Sequence, residues 1–171
     1  MHEEGLYYNS VMIELSIPGN EIIRLDHLVC DLNGTLAVDG RLVEGVTRQL
    51  GMLRDRLQIH LLTADTYGKQ SLIEQQLSVT THRLSPSISI GDEARQKAAY
   101  VEQLGAGLVA AIGQGANDAA MLRAARIGIC VISPEGTSVE TLNAADIVVP
   151  NILSALELFE KPLRLVATLR K

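Results

Sequence analysis

The sequence has few aromatic residues: among 171 residues there are four Tyr, one Phe and no Trp. A surface that binds single-stranded nucleic acid by base stacking uses several such rings. Basic residues are not in excess either, because 15 Lys and Arg stand against 20 Asp and Glu, which gives a formal net charge of −5. Sequence-independent binding to nucleic acid needs a basic stripe. Both deficits predict a protein without a nucleic-acid partner.

Long apolar runs are absent too, and none approaches the length of about 18 residues that a membrane span needs. The opening segment MHEEGLYYNS is acidic and polar, unlike a signal peptide. The two cysteines, Cys30 and Cys130, each lie inside an apolar run, which predicts small core side chains in a reducing compartment. We therefore expect a cytoplasmic protein with no membrane contact.

What is present indicates a globular fold. Apolar residues make up 47% of the chain and charged residues 20%, a balance that excludes a disordered or low-complexity chain. There is no internal repeat and no linker-like stretch, so the length predicts one domain over residues 1–171. We expect residues 1–10 to be loosely ordered, because they show no periodicity.

Strand and helix patterns alternate along the chain. Residues 11–25 read as a β-hairpin around a Pro18-Gly19-Asn20 turn. Short apolar runs between residues 27 and 150 predict strands, and leucines and valines at helical spacing predict helices between them. Residues 151–171 are predicted to form C-terminal helices, the first capped by Asn151 and interrupted or followed at Pro162. This alternation predicts an α/β fold with a mainly parallel sheet, in which ligands bind beyond the carboxyl ends of the strands.

The first strand end reads Asp31-Leu32-Asn33-Gly34-Thr35-Leu36. A carboxylate where a buried strand stops is held rigidly and faces the crevice. Gly34 allows a sharp turn without a Cβ clash, and the Thr35 hydroxyl can donate to an oxyanion. The alternative is an Asx-turn that simply closes the strand. Taken alone, these residues do not separate the two interpretations.

The second and third positions are more ambiguous. Thr63, after an apolar strand, can bind a phosphoryl oxygen, although a helix N-cap by Thr63 or Asp65 is the commoner role. Lys97 is the lone Lys of a helix whose predicted buried face contains Ala94, Ala98 and Val101. It could neutralise phosphate charge, or it could be an ordinary solvated helix charge.

The fourth strand end reads Gly113-Gln114-Gly115-Ala116-Asn117-Asp118. Two glycines between a strand and a helix permit close approach of a ligand to the backbone, and Asn117 and Asp118 add an amide and a second carboxylate. The third Gly of a dinucleotide fingerprint is missing, and the loop follows the wrong strand of the series for that motif.

Asp, Thr, Lys and the glycine-containing loop follow one another on successive strand–helix units. In this order the chain resembles the haloacid dehalogenase (HAD) superfamily of phosphotransferases over about residues 27–150, with DLNGTL, LLTAD, Lys97 and GQGANDAAML as its four motifs. Within the superfamily it looks most like the phosphorylation domain of P-type ATPases without the membrane part. The resemblance implies a three-layer, Rossmann-like core.

The resemblance also implies roles for individual residues, with Mg²⁺ as the cofactor. Asp31 would be the nucleophile that forms an aspartyl-phosphate, with Asn33, Thr63 and Lys97 as further catalytic positions. The implied phosphate-binding residues are Asp31, Leu32, Asn33, Gly34, Thr63, Ala64 and Lys97. The implied metal ligands are Asp31, the carbonyl of Asn33, Gln114 and Asp118, and the supporting residues are Thr35, Asp65 and Asn117.

Two departures from the family pattern predict slow turnover. Asn33 stands where family phosphatases usually carry an Asp that acts as general acid and base, help that is typically worth about 10²–10⁴-fold. Gln114 stands where the fourth motif normally has a metal-binding Asp, so one negative charge is lost. We therefore expect weak Mg²⁺ binding, with Asp118 reaching the metal directly or through water.

The spacing between motifs leaves no room for a cap domain, so we expect an open site. Water must then be excluded by a large substrate or by a neighbouring subunit, which favours a macromolecular phosphoester and a homo-oligomer, with the 11–25 hairpin as a candidate interface. The leading hypothesis is a slow Mg²⁺-dependent phosphohydrolase. A weakened phosphate- or phosphoprotein-binding regulator is the second. A receiver-like phospho-acceptor is the third, and the missing acidic pair before Asp31 argues against it.

Overall fold

The computed structural model describes residues 12–64, 68, 70–79, 81–86 and 89–171. The predictions for residues 1–10 and for Asp65 lie outside these ranges. The strands are β1 Ile13–Leu15, β2 Ile23–Leu25, β3 His27–Asp31, β4 Ala37–Val38, β5 Arg41–Leu42, β6 Gln58–Thr63, β7 Thr81–Arg83, β8 Val109–Gly113, β9 Ile127–Val131 and β10 Ile147–Val149. The helices are α1 Val46–Leu53, α2 Gln70–Leu77, α3 Asp92–Leu104, α4 Ala119–Ala124, α5 Val139–Ala144, α6 Ile152–Glu160 and α7 Leu163–Leu169.

A six-stranded parallel sheet lies at the centre, in the order β10-β9-β8-β3-β6-β7. The first strand of this sheet in the chain, β3, lies between β6 and β8, so the order of connection reverses at β3. Ligands in open α/β sheets bind at such a switch point. The carboxyl end of β3 is Asp31.

The sheet separates two hydrophobic layers, as its period-2 side-chain alternation requires. Leu28 and Cys30 of β3 face the larger cluster, which includes residues from the N-terminal hairpin, α1, α2, α6 and α7. Val29, between them, faces the smaller cluster with residues from α3 and α4. The predicted α/β fold with a parallel sheet is therefore confirmed, and Cys30 and Cys130 are free thiols buried in this core.

The predicted hairpin is confirmed as the antiparallel pair β1–β2, with Ile13 opposite Leu25. Its four inward side chains are buried, because the strand residues alternate between core and solvent. Near the C-terminus, the Asn151 side chain accepts a hydrogen bond from the Ser154 amide at 2.8 Å, as its predicted role as a helix cap requires. Pro162 then precedes α7.

The segment between β3 and β6 is short. It contains a small hairpin formed by β4 and β5, whose turn residues Asp39 and Gly40 both have positive φ, and the helix α1. We call residues 37–42 the flap. None of the helices in the described ranges is long and apolar enough to cross a membrane.

Candidate active site

Asp31, Lys97 and Asp118 form a buried charged cluster at the carboxyl end of the sheet. The Lys97 Nζ donates to Asp31 Oδ1 at 2.6 Å and to Asp118 Oδ1 at 2.7 Å. The Lys97 side chain is 1% exposed and that of Asp118 0%. Lys97 is therefore not a solvated helix charge: it lies on the buried face of α3, and Ala94 and Ala98 are only partly buried there.

The negative charge in this cluster exceeds the positive charge. Burial and then the Asp118 carboxylate raise the pKa of Asp31 to about 6, although Lys97 and Thr35 act in the opposite direction. Burial alone would lower the pKa of Lys97, but the two carboxylates outweigh it and raise that pKa. Two carboxylates against one ammonium leave a net negative charge, which a bound cation would offset.

The turn after β3 orients Asp31. The Thr35 hydroxyl donates to Asp31 Oδ2 at 2.8 Å, so the two carboxylate oxygens are held by different partners. Gly34 has a φ of 82°, a conformation that an L side chain adopts only with strain. The Asn33 side-chain amide donates to the Thr63 hydroxyl at 3.1 Å, which links the ends of β3 and β6.

Asp118 orients Lys97 and the loop that follows β8. Its Oδ2 accepts from the backbone amides of Gln114 and Gly115 at 2.9 and 3.0 Å. A Cβ on Gly113 would lie 2.6 Å from the Asp118 carboxyl carbon, so the close fold of this loop needs glycine there. Both Asp118 oxygens are engaged by groups of the protein, and Asp118 is not among the residues that line the pocket described next, so its bonds hold Lys97 and this loop in place.

A pocket of about 190 Å³ opens above the cluster. It brings together six of the positions singled out from the sequence: Asp31, Asn33, Ala64, Lys97, Gln114 and Asn117. Thr63 adjoins it through its bond to Asn33 and is 1% exposed.

Two predicted phosphate-binding positions do not present an amide to this pocket. The Leu32 amide donates to the Leu62 carbonyl at 3.1 Å, and the Gly34 amide donates to the Ala37 carbonyl at 2.7 Å. Both are used inside the protein because the chain leaves β3 through a tight turn. We therefore omit Leu32 and Gly34 from the phosphate-binding set.

Two further carboxylates, Glu93 and Glu135, line the pocket, and no motif of the sequence indicates them. Glu93, in the first turn of α3, accepts from the Asn117 side-chain amide at 2.7 Å. Glu135 lies in the loop after β9.

The nearby sequence Thr137 to Glu140 resembles a helix capping box, but Thr137 does not cap a helix. Its hydroxyl accepts from the Ser133 amide and donates to the Val131 carbonyl, and Ser138 is the residue that precedes α5.

Comparison with known proteins finds no matching family model. Two uncharacterized proteins of Methanocaldococcus jannaschii are similar to parts of the chain. One is 49% identical over 39 residues, which cover 23% of this chain and 89% of that protein. The other is 47% identical over 62 residues, which cover 36% of this chain and 67% of that protein.

Solved structures match most of the chain. The 3-deoxy-D-manno-octulosonate 8-phosphate phosphatase of Moraxella catarrhalis, in complex with magnesium, phosphate and KDO, has a TM-score of 0.60 and 18% identity, covering 85% of this chain and 94% of that one. The cobalt-bound deoxy-D-mannose-octulosonate 8-phosphate phosphatase of Haemophilus influenzae has a TM-score of 0.60 and 16% identity, covering 80% and 88%.

A zinc-transporting PIB-type ATPase in its E2.Pi state has a TM-score of 0.55 and 25% identity, covering 74% of this chain and 20% of that chain. The similarity thus extends both to small phosphatases and to part of a P-type ATPase. The parallel sheet with Asp31 at its switch point, together with these matches, shows that the chain has a HAD-like fold.

Proposed function

We propose that this protein is a Mg²⁺-dependent phosphohydrolase that acts through an aspartyl-phosphate on Asp31. The observation that carries the proposal is the Lys97 ammonium, which is 1% exposed and bonds Asp31 and Asp118 at the switch point of the sheet. A buried cation beside a strand-end carboxylate neutralises charge where a phosphoryl group would sit. Phosphatases of the same fold, solved with cobalt or with magnesium bound, support the proposal.

The oxygen donors at the pocket suit Mg²⁺, which prefers carboxylate, carbonyl and amide oxygens. Asp31, the Asn33 carbonyl and the Gln114 side chain would hold the ion, and the net negative charge of the cluster favours a cation there. Among the described residues, no group of three or more His, Cys, Asp or Glu side chains is placed to hold a metal, so carbonyl and amide oxygens matter here. When bound, Mg²⁺ would offset the charge of the phosphoryl oxygens.

The reaction would use the chain's own groups in two displacements. An Asp31 oxygen attacks phosphorus, and the bond from phosphorus to the leaving oxygen breaks with its electron pair. Thr63 and Lys97 hold the phosphoryl oxygens by donating to them. Water then attacks the aspartyl-phosphate, which releases inorganic phosphate and restores the carboxylate.

Proton transfer has no assigned acid or base in this reaction. Asn33 has an amide where an acid would protonate the leaving group, and that amide donates to Thr63. The leaving oxygen must therefore take its proton from water or from the substrate, and the attacking water has no side-chain base at this position. Because positioned acid–base help is worth about 10²–10⁴-fold, we propose that turnover is slow.

The size of the pocket bears on the substrate. A volume of about 190 Å³ holds a phosphoryl group and little more, so the rest of the ester would lie outside it. Between β3 and β6, a segment that the structure describes in full, the chain forms only the flap and the helix α1. We propose that a macromolecular phosphoester or a second subunit covers the site and excludes water.

The bond between Asn33 and Thr63 also favours a second candidate, a phosphate- or phosphoprotein-binding regulator. A site that positions a phosphoryl group but lacks the acid–base residue would bind it without efficient hydrolysis. The two candidates differ in whether any turnover depends on Asp31.

Hydrolysis of an aryl phosphate with Mg²⁺, and with EDTA, tests the proposal. We expect slow, EDTA-sensitive turnover that Asp31→Asn abolishes. Asp55→Asn, a matched change at an exposed position, should leave turnover intact. If Asp31→Asn folds normally by circular dichroism and keeps wild-type turnover, the nucleophile assignment is wrong. If wild type binds phosphate but neither hydrolyses esters nor takes label from acetyl phosphate, the regulator is favoured.

A further inference from the structure

Glu135 reaches the pocket from a part of the chain remote from the other site residues. It lines the same cavity as Asp31, Asn33 and Gln114, although it lies in the loop after β9. Its Oε1 accepts from the Asp39 amide at 2.6 Å, across 96 residues of sequence. The side chain thus lies between the tip of the flap and the loop after β3.

The loop that contains Glu135 is fastened to the turn after β3. The Ser133 hydroxyl donates to the Gly34 carbonyl at 2.6 Å, and the Glu135 amide donates to the Ser133 hydroxyl at 3.2 Å. Ser133 is buried, and the Gly136 amide closes the turn onto the Ser133 carbonyl at 2.9 Å. These bonds fix the backbone of Glu135 beside the Asp31 turn, so its position at the pocket is built into the fold.

The absence of a side chain at Gly34 creates the space into which two side chains converge. A Cβ at that position would lie 1.9 Å from Gln114 Nε2 and 3.0 Å from Glu135 Oε2. The Gln114 amide and the Glu135 carboxylate therefore both lie against Gly34, the residue that follows Asn33. Gln114 is the position at which the charge of the fourth motif is missing.

We infer that Glu135 supplies the second carboxylate of the divalent-cation site, in place of the acid that Gln114 lacks. The inference rests on the proposed function, since it concerns the same cation. Mg²⁺ is held by few protein carboxylates together with neutral oxygens and water. Asp31 and Glu135 both line the pocket and meet that need, whereas Asp118 is fully buried and does not line it. A carboxylate has about four acceptor positions, so hydrogen bonds such as the one from the Asp39 amide are compatible with cation binding.

Titration calorimetry with MgCl₂ on the full chain tests the inference without any measurement of turnover. Glu135→Gln keeps the size of the side chain and an oxygen that can accept from Asp39, but it removes the charge. We expect its Kd for Mg²⁺ to rise by about 10-fold or more, the usual scale for losing a tuning group at a metal site. Glu140→Gln, the same change at an exposed residue near Asn117, should change the Kd less than twofold.

A charge-relocation variant sharpens the test. If Glu135 replaces the missing acid, Gln114→Asp in the Glu135→Gln background should return the Kd to within about threefold of wild type, because the carboxylate is restored beside the same donors. The thermal stabilisation that Mg²⁺ gives each protein should follow the same order.

Three results would overturn the inference: no Mg²⁺ binding by wild type, an unchanged Kd in Glu135→Gln, or equal losses in Glu135→Gln and Glu140→Gln. Failure of the proposed function is distinguishable from these. It would appear as absent or Asp31-independent turnover, while the calorimetric ranking of the variants still decides the role of Glu135.

Discussion

Removing the charge of Lys97 should both destabilise the protein and inactivate it. Lys97→Met keeps the length of the side chain but leaves Asp31 and Asp118 buried without their shared partner, which now lies 2.6 and 2.7 Å from their oxygens. Breaking a buried ion pair by removing one partner typically costs about 3–5 kcal/mol. The free energy of unfolding of a domain is about 5–15 kcal/mol in total. The variant should therefore remain folded, but with a markedly lower free energy of unfolding.

The loss should depend on pH. Without the ammonium, burial and Asp118 would raise the pKa of Asp31 further above its ordinary value. In the folded variant Asp31 would then hold a proton that the unfolded chain releases. The loss of stability is therefore smallest at acidic pH and grows as the pH rises. Urea unfolding followed by circular dichroism at pH 5 and pH 8 should show the larger deficit at pH 8.

Two further variants test whether the Lys97 ion pairs carry this energy. Lys161→Met, at an exposed position, should change the free energy of unfolding by less than about 0.5 kcal/mol. Adding Asp118→Asn to Lys97→Met should recover part of the loss, because it removes the repulsion between the carboxylates. A loss below about 1 kcal/mol in Lys97→Met, or a deficit that is equal at both pH values, would show that the ion pairs do not carry this energy.

Other predictions address the pocket and the core. Asn33→Asp should speed hydrolysis of small phosphate esters by about 10²–10⁴-fold and shorten the life of any phosphoenzyme, as measured by ester turnover and acetyl phosphate labelling; an equally inert variant would mean that the missing acid is not the limiting defect. Gly34→Ala should cost more stability than Gly19→Ala in urea unfolding, because both have positive φ but only the first meets a neighbour, the Gln114 side chain; equal losses would contradict the packing argument. Burial and the neighbouring histidines lower the pKa of His60 to about 4, so its contribution to stability is present above pH 6.5 and is lost as the pH falls towards 4; the drop in unfolding free energy between pH 7 and pH 5 should be smaller in His60→Gln, and an identical drop would exclude this cause.

Local patterns along the chain were sufficient to predict the architecture. The apolar run that begins at residue 27 forms the strand β3, which stops at the predicted strand end, Asp31. The hairpin and the Asn151 cap lie where turn and capping chemistry indicate. These features depend on residues close in sequence, so their periodicity is visible without a tertiary context. Because parallel strands bring their carboxyl ends to one edge, the order of the four motifs also predicts that Asp31, Lys97 and Gln114 share a pocket.

The tertiary structure decided which polar groups face that pocket and which are used internally. The burial of Lys97 depends on how α3 packs against the sheet. The engagement of Asp118 depends on two amides of its own loop, and the Leu32 amide is taken by Leu62. None of these partners follows from the local pattern, since each depends on loop geometry or on another strand.

The local sequence pattern does not predict Glu93 and Glu135 as pocket residues either. Each is one acidic residue among 20 in the chain, and neither lies in a motif that marks a site. Glu135 reaches the pocket only because a buried Ser133 fastens its loop to the Gly34 carbonyl. The sequence alone thus determined the sheet, the strand ends and the nucleophile candidate. The number of carboxylates at the site was decided by folding, because hydrogen bonds between distant loops place them there.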